Sequence, residues 1–215
     1  MSITAAQNIE KKGQFMKPFG LTGNIGCGKS TVSKLLGKHV DVLILDCDRI
    51  AREIVSCDKY RRQINAILGT NVLLGEKSDS RTIAKIIFEE PKKKKLLEAL
   101  IHPLVWAIVN EGVVSAGDSK ICVVESAIIF ETNNENKFAA IIVATCESHE
   151  QFRRLRENRW MKDVEIQARL DQQLPLFEKE KRAQFVIHTD CSLKQLKDRV
   201  SSLYQNLKQM EGNQL

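Results

Sequence analysis

Short apolar runs alternate with longer amphipathic stretches along this chain, and the two periods separate strands from helices. Phe19 and Leu21 form a short strand-like run that opens onto a glycine-rich turn. Val32, Leu35 and Leu36 follow at helical spacing. Val40 to Leu45 reads as a buried strand ending at Asp46-Cys47-Asp48. From 49 to about 118 the pattern is helical, with no clear strand. Ser80 precedes a helix through Ile83, Ile86, Ile87 and Phe88, and Pro91 opens another through Leu96, Leu97 and Leu100. His102-Pro103 is expected to break that helix and start a new one over Leu104, Val105, Ile108 and Val109, ended by Gly117. Apolar runs return at Ile121–Val124, Ala139–Thr145 and Phe185–Ile187. An amphipathic helix beginning at Ser192 carries Leu193, Leu196, Val200 and Leu203.

Composition narrows this picture. The chain has 215 residues, enough for one domain with sub-lobes, and its 43% apolar content supplies a core. The net charge of +6 favours anionic ligands, although most such charge is solvated surface. Six cysteines at 27, 47, 57, 122, 146 and 191 show no C-x-x-C and no metal spacing, which fits a reduced, cytoplasmic protein. Residues 1–16 are polar, are read as a flexible extension and carry no signal-peptide pattern, leaving a single domain over 17–215. No apolar run approaches membrane-spanning length.

The turn after the first strand carries chemistry. Gly23-Asn24-Ile25-Gly26-Cys27-Gly28-Lys29-Ser30-Thr31 matches G-x-x-x-x-G-K-[S/T], a loop that cradles phosphates. Gly26, Cys27, Gly28, Lys29, Ser30 and Thr31 are the candidate nucleotide-binding residues. The glycines allow a tight turn that presents backbone N–H groups, and a helix beginning near Lys29 adds its positive end. Lys29 is the cation for the β- and γ-phosphates. The Ser30 hydroxyl is the candidate ligand for Mg²⁺.

Other residues keep two readings. Asp46 and Asp48 end a strand at the sheet edge where ligands bind, and Asp48 is also placed to cap a helix over Arg49–Val55. Glu125 ends an apolar strand, either as a water-mediated Mg²⁺ holder or as an ordinary strand-end charge. Gln151 to Arg159 holds four arginines, which suit closure over phosphate oxygens or ion pairs with Glu147, Glu150 and Glu157. Arg154 and Arg159 are expected to stand exposed until phosphate is bound. Lys92–Lys95 forms either a basic patch or a solvated helix face, and His102 is either catalytic or a helix-boundary residue.

An ordered set of motifs makes a resemblance specific. Leu21–Thr31, Asp46-Cys47-Asp48-Arg49-Ile50-Ala51-Arg52, Leu100–Leu104, Ile128–Glu131, Gln151–Leu155, and Arg169, Gln173, Pro175, Lys179 and Phe185–Ile187 together resemble the dephospho-coenzyme A kinase family over nearly all of 17–205. The resemblance implies an α/β P-loop kinase fold, with a parallel sheet core flanked by helices. Its core would be 17–49, 119–146 and 176–210, with a helical substrate-lobe insertion over about 50–118 and a helical lid over about 147–175. It implies ATP and Mg²⁺ as cofactors, and transfer of the γ-phosphoryl group to the ribose 3′-hydroxyl of dephospho-coenzyme A. Asp48 matches the family's base and Arg154 its lid arginine. The expected partner is this small molecule, with no nucleic acid and no membrane, and the protein a monomer or weak homo-oligomer. The chain departs from the family at Ala127 (usually proline), Glu125 (usually aspartate), Asn158 (usually a second lid arginine, here followed by Arg159) and His188-Thr189 (usually Asp-Asn). Two rival classes share the loop. A nucleotide switch would be expected to carry N-K-x-D, but Asn136-Lys137 is followed by Phe138-Ala139. Another small-molecule kinase would lack the Asp-Cys-Asp and His-Pro set.

Overall fold

The computed structural model describes residues 17–69, 80–117 and 120–212, so the extension expected over 1–16 lies outside the described residues. Its elements, in chain order, are β1 (Phe19–Thr22), α1 (Lys29–Leu36), β2 (Val42–Asp46), α2 (Cys47–Ser56), α3 (Asp58–Leu68), α4 (Ser80–Glu89) and α5 (Pro91–Ala116). There follow β3 (Ile121–Glu125), a 3₁₀ turn (Glu135–Lys137), β4 (Ile141–Thr145), α6 (Ser148–Arg159), α7 (Asp163–Leu170), α8 (Leu176–Arg182), β5 (Phe185–His188) and α9 (Leu193–Gly212).

The five strands form one parallel sheet in the order β2-β3-β1-β4-β5. A parallel sheet needs both faces covered, which is why β1, β3 and β4 are buried along their whole length. One face packs Phe19, Leu21 and Val123 against Val32 and Leu36 of α1 and Leu196, Val200, Leu203 and Leu207 of α9. The other packs Val124 and Val143 with Leu45, Ile50 and Ile54, extending into Ile64, Leu68, Leu97, Ile101 and Val105 of the helices inserted between β2 and β3. The parallel register brings Thr22, Asp46, Glu125 and Thr145 to the same carboxyl edge, where ligands bind in open α/β sheets.

The structure corrects several expectations. Strand β2 starts at Val42, because Val40 is 91% exposed and has no core to face. Strand β4 starts at Ile141 rather than Ala139, whose N–H bonds the Pro18 carbonyl beside the sheet. The largest correction is α5, which runs unbroken through His102 and Pro103. An interior proline removes one backbone bond and costs about 3 kcal/mol. Leu97, Ile101, Val105 and Val109, four residues apart, are all buried on one stripe. Four such side chains at roughly 1.5–3 kcal/mol each outweigh the proline. Unbroken, α5 is also long and apolar enough to cross a membrane by length and composition, against the expectation that no run approaches that length. Its stripe is committed to the core cluster on the sheet.

Candidate active site

Between β1 and α1 the chain makes the turn that the glycines permit. Gly26 and Gly28 have φ of +83° and +81°, a region that side-chain-bearing residues rarely enter. A Cβ on Gly26 would also lie 2.9 Å from Leu155 of α6, so the helix can approach only because the side chain is absent. Helix α1 then starts at Lys29. The Lys29 ammonium donates to the carbonyls of Gly23 at 2.8 Å and Asn24 at 3.2 Å. Burial pushes its pKa down, while the Cys27 thiol and the Glu125 and Asp48 carboxylates pull it back up.

The loop opens onto a cleft of about 610 Å³. Gly26, Gly28, Lys29, Ser30, Asp48 and Arg154 all line it. Cys27 and Thr31 do not line it. The Cys27 side chain is buried beneath the loop, and Thr31 lies exposed on the first turn of α1. The Cys146 thiol hydrogen bonds Cys27 and lowers the Cys27 pKa, while Cys146 is itself raised.

The two aspartates differ from the sequence reading. Asp46 is the cap of α2, its Oδ1 accepting from the Arg49 N–H at 3.0 Å. Asp48 is not on the strand at all; it sits exposed in the first turn of α2. The strand ends two residues earlier than a shared extended face would need, so the capping role passes to Asp46 and Asp48 is left free of it. Arg52, one turn along α2, lines the cleft with Asp48.

Glu125 is 9% exposed at the end of β3 and also lines the cleft. Burial raises its pKa, opposed by the Ser33 hydroxyl, which donates to Oε2 at 2.6 Å. Among the described residues no group of three or more His, Cys, Asp or Glu forms a ready metal cage. The donors that do share the cleft, Ser30, Asp48 and Glu125, suit a Mg²⁺ that keeps waters and shares phosphate oxygens.

Arg154 is not free. Its guanidinium donates to Glu150 Oε1 at 2.7 Å, to Thr189 Oγ1 at 2.8 Å and to the Thr189 carbonyl at 2.7 Å. The Thr189 hydroxyl donates in turn to the Cys27 carbonyl at 3.0 Å. Thr189 therefore docks Arg154 beside the phosphate loop. Arg159 is exposed as expected, and both it and Asn158 line the cleft. The other α6 arginines pair with acids: Arg153 with Glu150 and Glu157, Arg156 with Asp163. Glu147 takes no such part in these pairs; its N–H bonds Asp190 Oδ2.

Sequence reasoning missed part of the wall. Lys94 reaches across from α5 to Gln172 Oε1 at 2.8 Å, and both line the cleft. A run of four lysines hides this, because only the helix phase selects Lys94, while Lys92 and Lys95 are exposed. His102 lies off the main cleft, in a cavity of about 80 Å³ shared with Cys47, Asp48, Trp106 and Asn134.

Comparisons with known proteins bear on the family and the fold. The family model for dephospho-CoA kinase matches residues 18–195. A curated dephospho-CoA kinase from Bdellovibrio bacteriovorus is 34% identical over 179 residues, covering 81% of this chain and 88% of that protein. One from Thermobifida fusca is 30% identical over 194 residues, covering 89% and 96%. A crystal structure from Thermus thermophilus superposes with a TM-score of 0.77 at 28% identity, covering 90% of this chain and 99% of that one. The dephospho-CoA kinase of Campylobacter jejuni superposes at 0.63 with 24% identity, over 90% and 98%, a likeness of fold.

Proposed function

The chain belongs to the dephospho-coenzyme A kinase family, and from that membership we propose how its own residues move the γ-phosphoryl group of ATP to the ribose 3′-hydroxyl of dephospho-coenzyme A. The observation that carries the proposal is that Asp48 lines the same cleft as Lys29 and Ser30. A carboxylate unengaged in capping then faces the phosphate loop across space for an acceptor.

Asp48 orients the 3′-hydroxyl and takes its proton as the oxygen attacks phosphorus. Lys29 leaves the Gly23 and Asn24 carbonyls for the phosphates, whose charge compensates the burial that depresses its pKa. Arg154, held by Thr189 beside the loop, meets the transferring group, and Arg159 supplies the cation that Asn158 lacks. Ser30 and Glu125, which line the same cleft, would hold Mg²⁺, and the ion would supply neutralisation of phosphate charge. The amides of Gly26, Gly28 and Ser30 face the nucleotide phosphates, whereas those of Cys27 and Thr31 donate to the Asn24 and Gly28 carbonyls. The helices over about 50–118 grip the acceptor, and residues of about 147–175 close as a lid. The reaction runs in the cytoplasm on small molecules, in a monomer or weak homo-oligomer; six free thiols support a reducing compartment.

Acceptor-dependent turnover of Asp48→Asn tests the assignment. The variant should lose on the order of 10²- to 10⁴-fold in kcat, nearer the lower end because a loose transition state asks little of a base. Its melting temperature should hold. Asp46→Ala should instead cost about 1 kcal/mol of stability through the lost cap. If Asp48→Asn keeps its kcat while Asp46→Ala loses it, the two roles are reversed.

A further inference from the structure

Ile25, near the apex of the phosphate loop, has both of its peptide groups held by side chains. Its N–H donates to Gln173 Oε1 at 3.0 Å, and its carbonyl accepts from Gln151 Nε2 at 2.6 Å. The two glutamines come from opposite ends of the α6–α7 hairpin. Gln151 is buried in the first turns of α6, and Gln173 lies three residues past the end of α7. A third stitch joins them: the Asn24 side-chain amide donates to the Leu174 carbonyl at 3.2 Å.

One side of this arrangement is anchored. The Leu174 N–H donates to Glu131 Oε1 at 2.9 Å, and the same oxygen takes the Lys179 ammonium at 2.7 Å. Lys179 is fully buried and also donates to the Ala127 carbonyl at 2.8 Å. A paired charge inside the protein is costly to separate, so 173–174 is the anchored end about which the rest of the proposed lid moves. The other side belongs to α6, which rests directly on the loop: a Cβ on Gly26 would meet Leu155 at 2.9 Å and Gln151 at 3.1 Å.

We propose that Gln151 and Gln173 are positioning residues forming a clip on Ile25, through which the position of α6 sets the phosphate-binding shape of the loop. The clip touches no reacting atom. Movement of α6 pulls on the Ile25 carbonyl while Gln173 holds its N–H, so closure of the hairpin and the fit of the loop to nucleotide change together. The proposal rests on the nucleotide-binding reading given above, but not on the identity of the acceptor.

The test uses Gln151→Met, Gln173→Met and the double variant of the full chain, which keep side-chain length and remove the hydrogen bonds. Amide exchange is read at Ile25 by NMR, with and without ADP, alongside KM for ATP and kcat. Each single variant should speed Ile25 exchange while leaving β1 amides unchanged, and lower kcat/KM for ATP by about 5- to 10-fold. The double should lose no more than about either single, because the clip fixes Ile25 only while both of its peptide groups are bonded. Unchanged Ile25 exchange and ATP kinetics in folded variants would overturn the clip. So would losses that multiply in the double. If Gln151→Met does not fold, the half-exposed Gln173→Met carries both readouts alone. Wild-type protein that binds ADP but transfers nothing to dephospho-coenzyme A contradicts the proposed acceptor and leaves the exchange test of the clip intact.

Discussion

Lys29 and Asp48 illustrate what single residues carry here. Lys29 is a half-buried cation with a depressed pKa, donating to carbonyls of its own loop. Removing a desolvated charge relieves a burial penalty, so Lys29→Met should melt near wild type yet lose most of its phosphoryl-transfer rate. A wild-type rate in that variant would remove the loop from the chemistry. Glu150 gives a pH signature. Hydrogen bonds from Arg153, and then from Arg154, hold its carboxyl at about 2 instead of the ordinary 4.5. The folded state thus binds fewer protons than the unfolded state between those values. Its stabilisation is present above pH 4.5 and is lost as pH falls toward 2. The stability difference between wild type and Glu150→Gln, followed by denaturant titration, should shrink across that window; a difference independent of pH would mean the pairs contribute nothing. The loop was legible at this scale because its glycines, lysine and serine are contiguous. The division between Asp46 and Asp48 was not, since it depends on the residue at which β2 gives way to α2.

At the scale of elements, α5 shows why a local rule failed. Pro103 is a valid break signal, but its weight is set by the burial of Leu97, Ile101, Val105 and Val109 on a stripe that no local window reveals. The two sides of the helix should respond differently. Ile101→Ala, in the core, should destabilise by about 2–5 kcal/mol. Leu96→Ala, 56% exposed on the same helix, should stay within about 0.5 kcal/mol. Chemical denaturation of the two variants separates these cases, and equal effects would contradict the continuous buried stripe. The central strands β1, β3 and β4 followed from the apolar pattern, because they are buried on both faces and read as plain apolar runs. Lys94 escaped notice for the converse reason: its partner, Gln172, lies 78 residues away in the chain.

At the scale of the whole molecule, the sheet order gathers residues from distant segments to one edge. Neither Thr189 behind Arg154 nor the glutamines on Ile25 follow from any sequence spacing, because each pairing spans the fold. The hairpin of α6 and α7 is expected to close over bound nucleotide and acceptor. Hydrogen exchange across 147–172 should slow when both are added. No change anywhere in that segment would rule out a lid. The most direct measurement is the product itself. Wild-type protein is incubated with ATP, Mg²⁺ and dephospho-coenzyme A, and the product is read by ³¹P NMR and mass spectrometry, with Lys29→Met in parallel. The account predicts one added phosphate on the ribose 3′-hydroxyl, stoichiometric ADP, and almost none of either from Lys29→Met. A phosphate at another position, or ADP release that ignores the acceptor, would contradict it.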